Sequence, residues 1–317
     1  MNIANLHKKH SIYFLISTGS LLLLNFIFPI SKFYGDILFT ISFFLIITIG
    51  ISHGGLDHIK GKKLLKRYKT YSIVSFYVAY IVLCLGIIIL WKLFPIYTLV
   101  LFLFVAAYHF GKEDTPVNYL KKEITFYKNL NYLLRGSLVI VAPLYFHTEN
   151  TQLLFKLLSF QNKFIFENSF FSKFISNTDY VGIWFVLSLI AFLPNIGKKI
   201  NYSLIFDCTS IVILNWLLLP VYAFTVYFCF LHSVRHSMTW VSKLDKTKLT
   251  TGIKKFLNMA FPLTALTGIL FIFSALFMLN LNDSYLNSVL TRTIFVGLAS
   301  LTFPHILLEY LLEKNGK

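Results

Sequence analysis

The sequence predicts an all-α protein, a polytopic transmembrane helical bundle of about ten spans (range eight to ten) with both termini cytoplasmic. Three observations predict it. The 317 residues are 56% hydrophobic and only 13% charged, with a mean hydropathy of +0.70, whereas a soluble domain carries about 25% charged residues. The apolar residues gather into runs near the roughly 20 residues that a helix needs to cross hydrocarbon. The Lys and Arg residues sit in the short connections between those runs, and their density alternates from one connection to the next.

The first span is expected at 11–30. Lys8 and Lys9 precede it and no A-x-A-like cleavage site follows, so it reads as a retained helix rather than a signal peptide. The next spans are expected at 34–53, 71–91, 95–111, 130–146 and 180–196. The apolar stretch from Ser203 to Trp240 is too long for one span and Pro220 divides it, giving 203–219 and 221–241. The last two are expected at 257–279 and 290–312. With the N-terminus inside, 21 Lys and Arg fall in cytoplasmic connections, densest at 60–69 and 243–255. Five (Lys32, Lys92, Lys156, Lys163, Lys173) fall outside. That asymmetry orients the chain in a bacterial inner membrane, and dropping one helix would put basic loops on the wrong side.

Residues 151–175 mix Leu153, Leu154, Leu157, Leu158, Phe170 and Phe171 with Lys156, Lys163, Glu167 and Lys173. Too polar to span and too apolar for a free loop, they read as an amphipathic segment on the outer face. No separate soluble domain is left, so 1–317 is one integral-membrane domain. The net charge of +16 would suggest nucleic acid on a soluble protein, but its placement beside the spans excludes that partner and points to the lipid bilayer. Cys84, Cys208 and Cys229 lie in apolar runs with no CxxC spacing, which excludes a disulfide framework or a thiolate metal site.

Nine histidines remain to be explained. His7, His10 and His147 are isolated near span ends and read as surface groups. The other six sit in compact polar clusters: Ser52-His53-Gly54-Gly55-Leu56-Asp57-His58, Tyr108-His109-Phe110-Gly111-Lys112-Glu113-Asp114, His232-Ser233-Val234-Arg235-His236-Ser237, and Pro304-His305. Each cluster lies in or ends an even-numbered span, and even-numbered spans all run from outside to inside. Helices two, four, eight and ten therefore bring six imidazoles to one depth, in the cytoplasmic half. An ionisable group at mid-membrane costs about 2.5–3.5 kcal/mol on insertion scales, so a gathering of them implies a partner. A metal ion is the most economical one, since neutral imidazole is a common nitrogen ligand.

His232 and His236 are four residues apart, on one helix face. Without nearby cysteine or an HExxH pattern, an all-imidazole set suits iron, copper, zinc or nickel. Fe(II) held by four neutral imidazoles would keep two octahedral positions open. Asp57, Glu113, Asp114 and Glu309 are candidate acceptors for the second ring N–H of the ligands, and Arg235 is expected to pair with one of them. A metal or proton transporter using intramembrane histidines is the rival reading. It predicts ionisable groups along the full depth of a path, but the outer halves of the even spans are nearly free of them. A di-iron desaturase would need HxxHH boxes, which are absent.

The motifs SHGGLDH, YHFGKED, HSVRHS and PH, in this order from residue 52 to residue 305, resemble the Brp/Blh family of membrane-bound β-carotene 15,15′-dioxygenases. The resemblance covers nearly the whole chain and rests on the four motifs jointly. It implies a helical membrane enzyme that uses Fe(II) and O2 to split β-carotene centrally into two all-trans-retinal molecules, which supply a microbial rhodopsin. By motif position, the family's metal histidines fall on His53, His109, His232 and His236. His58 and His305, with Asp57, match family positions too. The resemblance leaves the two histidines to orient ligands or touch oxygen-derived intermediates.

Overall fold

The computed structural model describes residues 3–30, 35–68, 72–116, 119–120, 123–160, 166–193, 200–281 and 285–314, excluding the side chains of residues 67 and 68. The expected span ends at 34, 71 and 194–196 lie outside these residues. So do residues 161–165 of the amphipathic segment and the loop residues Lys32, Lys69, Lys121, Lys122, Lys198, Lys199 and Lys317.

Among the described residues the chain is helical throughout, with no strand. Helix α1 is Ile3–Ile27. Helix α2, Asp36–Leu45, runs on through a π turn at Ile46–Gly50 and a 3₁₀ segment at Ile51–Leu56 into α3, Asp57–Tyr68. Then come α4 (Ile73–Leu93), α5 (Pro95–Asp114), α6 (Thr125–Phe146), α7 (Thr148–Leu158), α8 (Phe170–Ser176), α9 (Thr178–Ile190) and α10 (Tyr202–Leu217). Helix α11, Pro220–Val226, continues through a second π turn, Tyr227–Ser233, into α12, Val234–Leu244. Helices α13 (Leu249–Leu281) and α14 (Leu286–Lys314) complete the chain.

Local chemistry starts these helices where the sequence supplies it. Ser72, Ser169, Asn177 and Asn201 accept hydrogen bonds from the first free backbone N–H groups of α4, α8, α9 and α10. Pro95 and Pro220 stand at the first helical position, where a missing N–H costs nothing. The expected break at Pro220 is therefore present, and the described part of each expected span overlaps a helix or a continuous helical rod.

Among the described residues, six helical stretches are long and apolar enough to cross a membrane: Ile3–Ile27, Asp36–Lys66, Ile73–Leu93, Pro95–Asp114, Leu249–Asn280 and Leu286–Lys314. Thr178–Ile190 and Tyr202–Leu217 are apolar but shorter. Large apolar side chains on α4 (Val74, Val78, Ile81, Val82) and α13 (Phe261, Ile269, Leu270, Phe273) are exposed, as expected of a membrane protein whose outer faces meet lipid.

Helix α6 shows why span counting by hydropathy is hard here. It carries Arg135, which is buried. Its Nε donates to the Ala191 carbonyl at 2.8 Å, its Nη1 to Thr115 Oγ1 at 3.1 Å, and the guanidinium stacks on Tyr119. Helix α6 also lies directly against α5. A Cβ at Gly111 would fall 1.7 Å from the Tyr132 carbonyl oxygen, and one at Gly136 would fall 1.7 Å from that of Ala107. Only glycine permits this backbone contact, which fixes α5 and hence His109.

The segment expected at the outer face forms α7 and α8. Thr151, Phe155 and Leu158 turn their side of α7 into the bundle, and the Trp91 indole N–H donates to the Leu158 carbonyl at 2.8 Å.

Candidate metal centre

The two π turns are largely buried and pack against each other. A π turn widens the helix by one residue and leaves a carbonyl needing a new donor. The Gly50 carbonyl, which ends the first π turn, accepts from the Ser233 hydroxyl, which ends the second. It also accepts from His53 Nδ1 at 2.7 Å. Two irregular helices are thereby pinned together at the motifs that carry His53 and His232.

Five imidazoles converge there. His53 and His232 have ring centroids 5.3 Å apart, His232 and His109 5.3 Å, His109 and His305 5.5 Å, and His305 and His53 5.4 Å. His236 stands beside them, 5.5 Å from His53 and 6.0 Å from His305. All five are buried. Ligand atoms of His53, His109 and His232 lie within 4.8 Å of one another, and so do those of His236, His305 and Glu309.

The hydrogen bonds assign the tautomers. His53 Nδ1 faces the Gly50 carbonyl, which only accepts. His232 Nδ1 lies 3.1 Å from Asp114 Oδ1, His236 Nδ1 3.2 Å from Glu113 Oε2, and His305 Nδ1 2.8 Å from Asp57 Oδ2. Each of these four imidazoles therefore turns an Nδ1–H to an acceptor and leaves Nε2 to face elsewhere, in His236 to the Trp240 indole N–H. The Nε2 atoms of His232 and His305 are buried and have no partner among the described residues. Buried nitrogen lone pairs without donors are costly, and carboxylates behind metal-facing imidazoles are the usual second layer of a metal site. The residues fit an imidazole-bound metal.

Three of the four expected acceptor carboxylates meet a histidine: Asp57, Glu113 and Asp114. Glu309 instead takes the ammonium of Lys60, which also lies 3.2 Å from Asp57 Oδ1. The expected partner of Arg235 is corrected. Its guanidinium makes a two-pronged bond to Asp207 at 2.6 and 2.9 Å and reaches only the backbone carbonyl of Asp114. Asp207 lies alone in an apolar run, with no neighbouring motif to announce it.

His58 is not brought into the ring cluster. Its imidazole is half-buried, with Nδ1 3.0 Å from the Gly55 carbonyl. His7 and His10 lie against the rod that carries His232 and His236, with His10 Nε2 2.9 Å from the Phe230 carbonyl. Lys60, Tyr80 and Trp240 were not legible as site residues. Tyr80 donates to Asp57 Oδ2 at 3.0 Å, and the Trp240 indole N–H donates to His236 Nε2 at 3.2 Å.

A cavity opens on the cluster, enclosing about 750 Å³ of empty space counted out to its mouth. His53, His109 and His305 form its polar wall with Tyr80. Phe102, Phe110, Phe224, Phe228, Leu263, Leu298 and Leu301 make most of the rest. Its lining, apolar with a few convergent polar groups, is of the kind that small-molecule sites have.

Fold and site together define a helical membrane-type protein whose buried imidazole centre faces an apolar cavity. A family model described as "Beta-carotene 15,15'-dioxygenase" matches residues 44–313, and the chain belongs to this family of enzymes. It is similar to a protein named "Beta-carotene 15,15'-dioxygenase" from uncultured marine bacterium 66A03, with 25% identity over 279 residues, covering 83% of this chain and 90% of the relative. No solved structure matches the chain.

Proposed function

We propose that the chain is a membrane-embedded Fe(II) enzyme that cleaves β-carotene at its central double bond with O2, giving two molecules of all-trans-retinal. One observation carries the reading. The imidazoles of His53 and His305, with their Nδ1–H groups committed to acceptors, stand with His109 in the wall of a mostly apolar cavity. The family and the name of the relative supply the substrate.

The reaction balances without another reductant: the central C=C bond breaks, and each carbon leaves with one atom of the O2. Iron supplies the activation of O2 when bound, and the histidine cluster offers its ligands, with His53, His109, His232 and His236 as the set that the resemblance implies. The chain's own residues do the rest. Phe102, Phe110, Phe224 and Phe228 give a hydrocarbon rod dispersion contacts and exclude water. β-Carotene offers no hydrogen bond, so the site of cutting is set by how far the rod slides along this wall before its ends are stopped. Asp57, Glu113 and Asp114 hold the imidazole planes. His58, outside the ring cluster, is retained as an orienting group on the cytoplasmic side.

The substrate dissolves in the bilayer, which fits an enzyme whose α4 and α13 present apolar faces outward. The helical rods are read as about ten crossings of a bacterial inner membrane in one domain, with both termini cytoplasmic and α7 and α8 at the outer interface. The retinal product suits a microbial rhodopsin as recipient.

Expression in cells that make β-carotene tests the reading. Loss of the orange colour with accumulation of retinal is expected. Persistent colour without retinal, from protein found in the membrane fraction, would refute it.

A further inference from the structure

His305 lies outside the ligand set that motif resemblance implies, yet the geometry treats it as a member. The rings of His53, His232, His109 and His305 form a closed four-sided figure with nearly equal sides, 5.3, 5.3, 5.5 and 5.4 Å, and neighbouring planes are steeply inclined. His305 Nε2 is buried without a partner, as is His232 Nε2. His305 also forms part of the cavity wall. His236 differs on each count. Its ring stands outside the figure, its Nε2 already accepts the Trp240 indole N–H, and it does not line the cavity.

We infer that His305 is a metal ligand of the centre, on the side facing the cavity, and that Asp57 is its positioning residue. The inference rests on the iron reading above. Asp57 accepts from His305 Nδ1, from the Tyr80 hydroxyl and from Lys60. Lys60 in turn reaches Glu309, one turn beyond His305 on α14. The clasp ties α3 to α14, so His305 enters the ring at a fixed angle although its motif is only two residues long. Held this way, Nδ1–H cannot rotate inward, and the only group His305 can present to the centre is the Nε2 lone pair.

Metal binding by the purified full-length protein in detergent tests this directly. Metal-free wild type, His305→Ala, His305→Gln, Asp57→Asn and a distant-histidine control, His147→Ala, are titrated anaerobically with Fe(II) and separately with Co(II). Bound metal per chain and the visible Co(II) absorption are read, along with the melting of each metal-free form. Wild type and His147→Ala should bind alike. Both His305 variants should bind more than about 100-fold more weakly, and Asp57→Asn about 10- to 100-fold more weakly with an altered Co(II) spectrum. Metal-free His305→Gln should melt with wild type, because a lost ligand is felt only when metal is present, whereas metal-free Asp57→Asn should melt lower because it takes the buried carboxylate from Lys60. His305→Gln binding within about threefold of wild type, with an unchanged Co(II) spectrum, would overturn the inference while leaving the iron reading standing. Failure of wild type itself to bind metal would overturn both, and no variant would then differ from it.

Discussion

Two carboxylate arms approach the histidine centre, and they are built differently. In one, His305 leans on Asp57, which is gripped by Lys60 and Tyr80, with Lys60 and Asp57 each only 1% exposed. In the other, His236 leans on Glu113, while the neighbouring Lys112 pairs with Glu313 at 2.7 Å in side chains 25% and 55% exposed. Both arms pair a lysine with a glutamate of α14. Burial makes the first a rigid device, because neither charge has water to fall back on. The second is a surface contact that solvent screens. The comparison teaches that the imidazole with the stiffer support, His305, also keeps its Nε2 unoccupied, whereas His236 spends that atom on Trp240.

Removing one lysine from each arm should break the comparison most visibly. Lys60→Met leaves Asp57 and Glu309 buried against each other and should cost about 3–5 kcal/mol of stability. Lys112→Met should cost no more than about 1 kcal/mol. Thermal melting of the two variants in detergent checks this, and equal losses would mean that the arms are equivalent. The next effect in size concerns the metal. Asp57→Asn should lower iron affinity more than Glu113→Gln does, because the His305–Asp57 pair is more deeply buried than His236–Glu113 and its lost charge is less screened. Competitive metal titration measures the ratio, and a larger loss in Glu113→Gln would reverse the ranking of the arms. The smallest effect sharpens the role of Trp240. Trp240→Phe removes one hydrogen bond to His236 Nε2, worth about 1 kcal/mol. It should leave iron content near wild type, as elemental analysis would show.

Much of this was legible in the sequence. The four polar motifs, their order and their common depth predicted that His53, His58, His109, His232, His236 and His305 would gather, and all but His58 do. The carboxylates Asp57, Glu113 and Asp114 were recognisable as acceptors because each adjoins a histidine motif. What stayed hidden has physical causes. The π turns at Ile46–Gly50 and Tyr227–Ser233 shift the helix phase without leaving a compositional mark. Lys60 reads as one more basic residue of a cytoplasmic loop, since sequence does not reveal that a long side chain has folded back into a buried clasp. Asp207 pairs with an arginine 28 residues away, a contact that only packing creates. His236 looked equivalent to His232 from its spacing, but its ring stands outside the four-ring figure and its Nε2 accepts from Trp240. The span count is the least legible part, because α6 and the rod from Pro220 to Leu244 bury polar groups that depress their hydropathy.

The account stands most directly on what the iron-loaded protein makes from β-carotene. Purified protein supplied with Fe(II), O2 and β-carotene should yield two molecules of retinal for each β-carotene consumed, and none under anaerobic conditions. Unequal fragments from an off-centre cut, or retinal formed equally by the metal-free protein, would contradict the claim that this histidine centre places its metal opposite the central double bond.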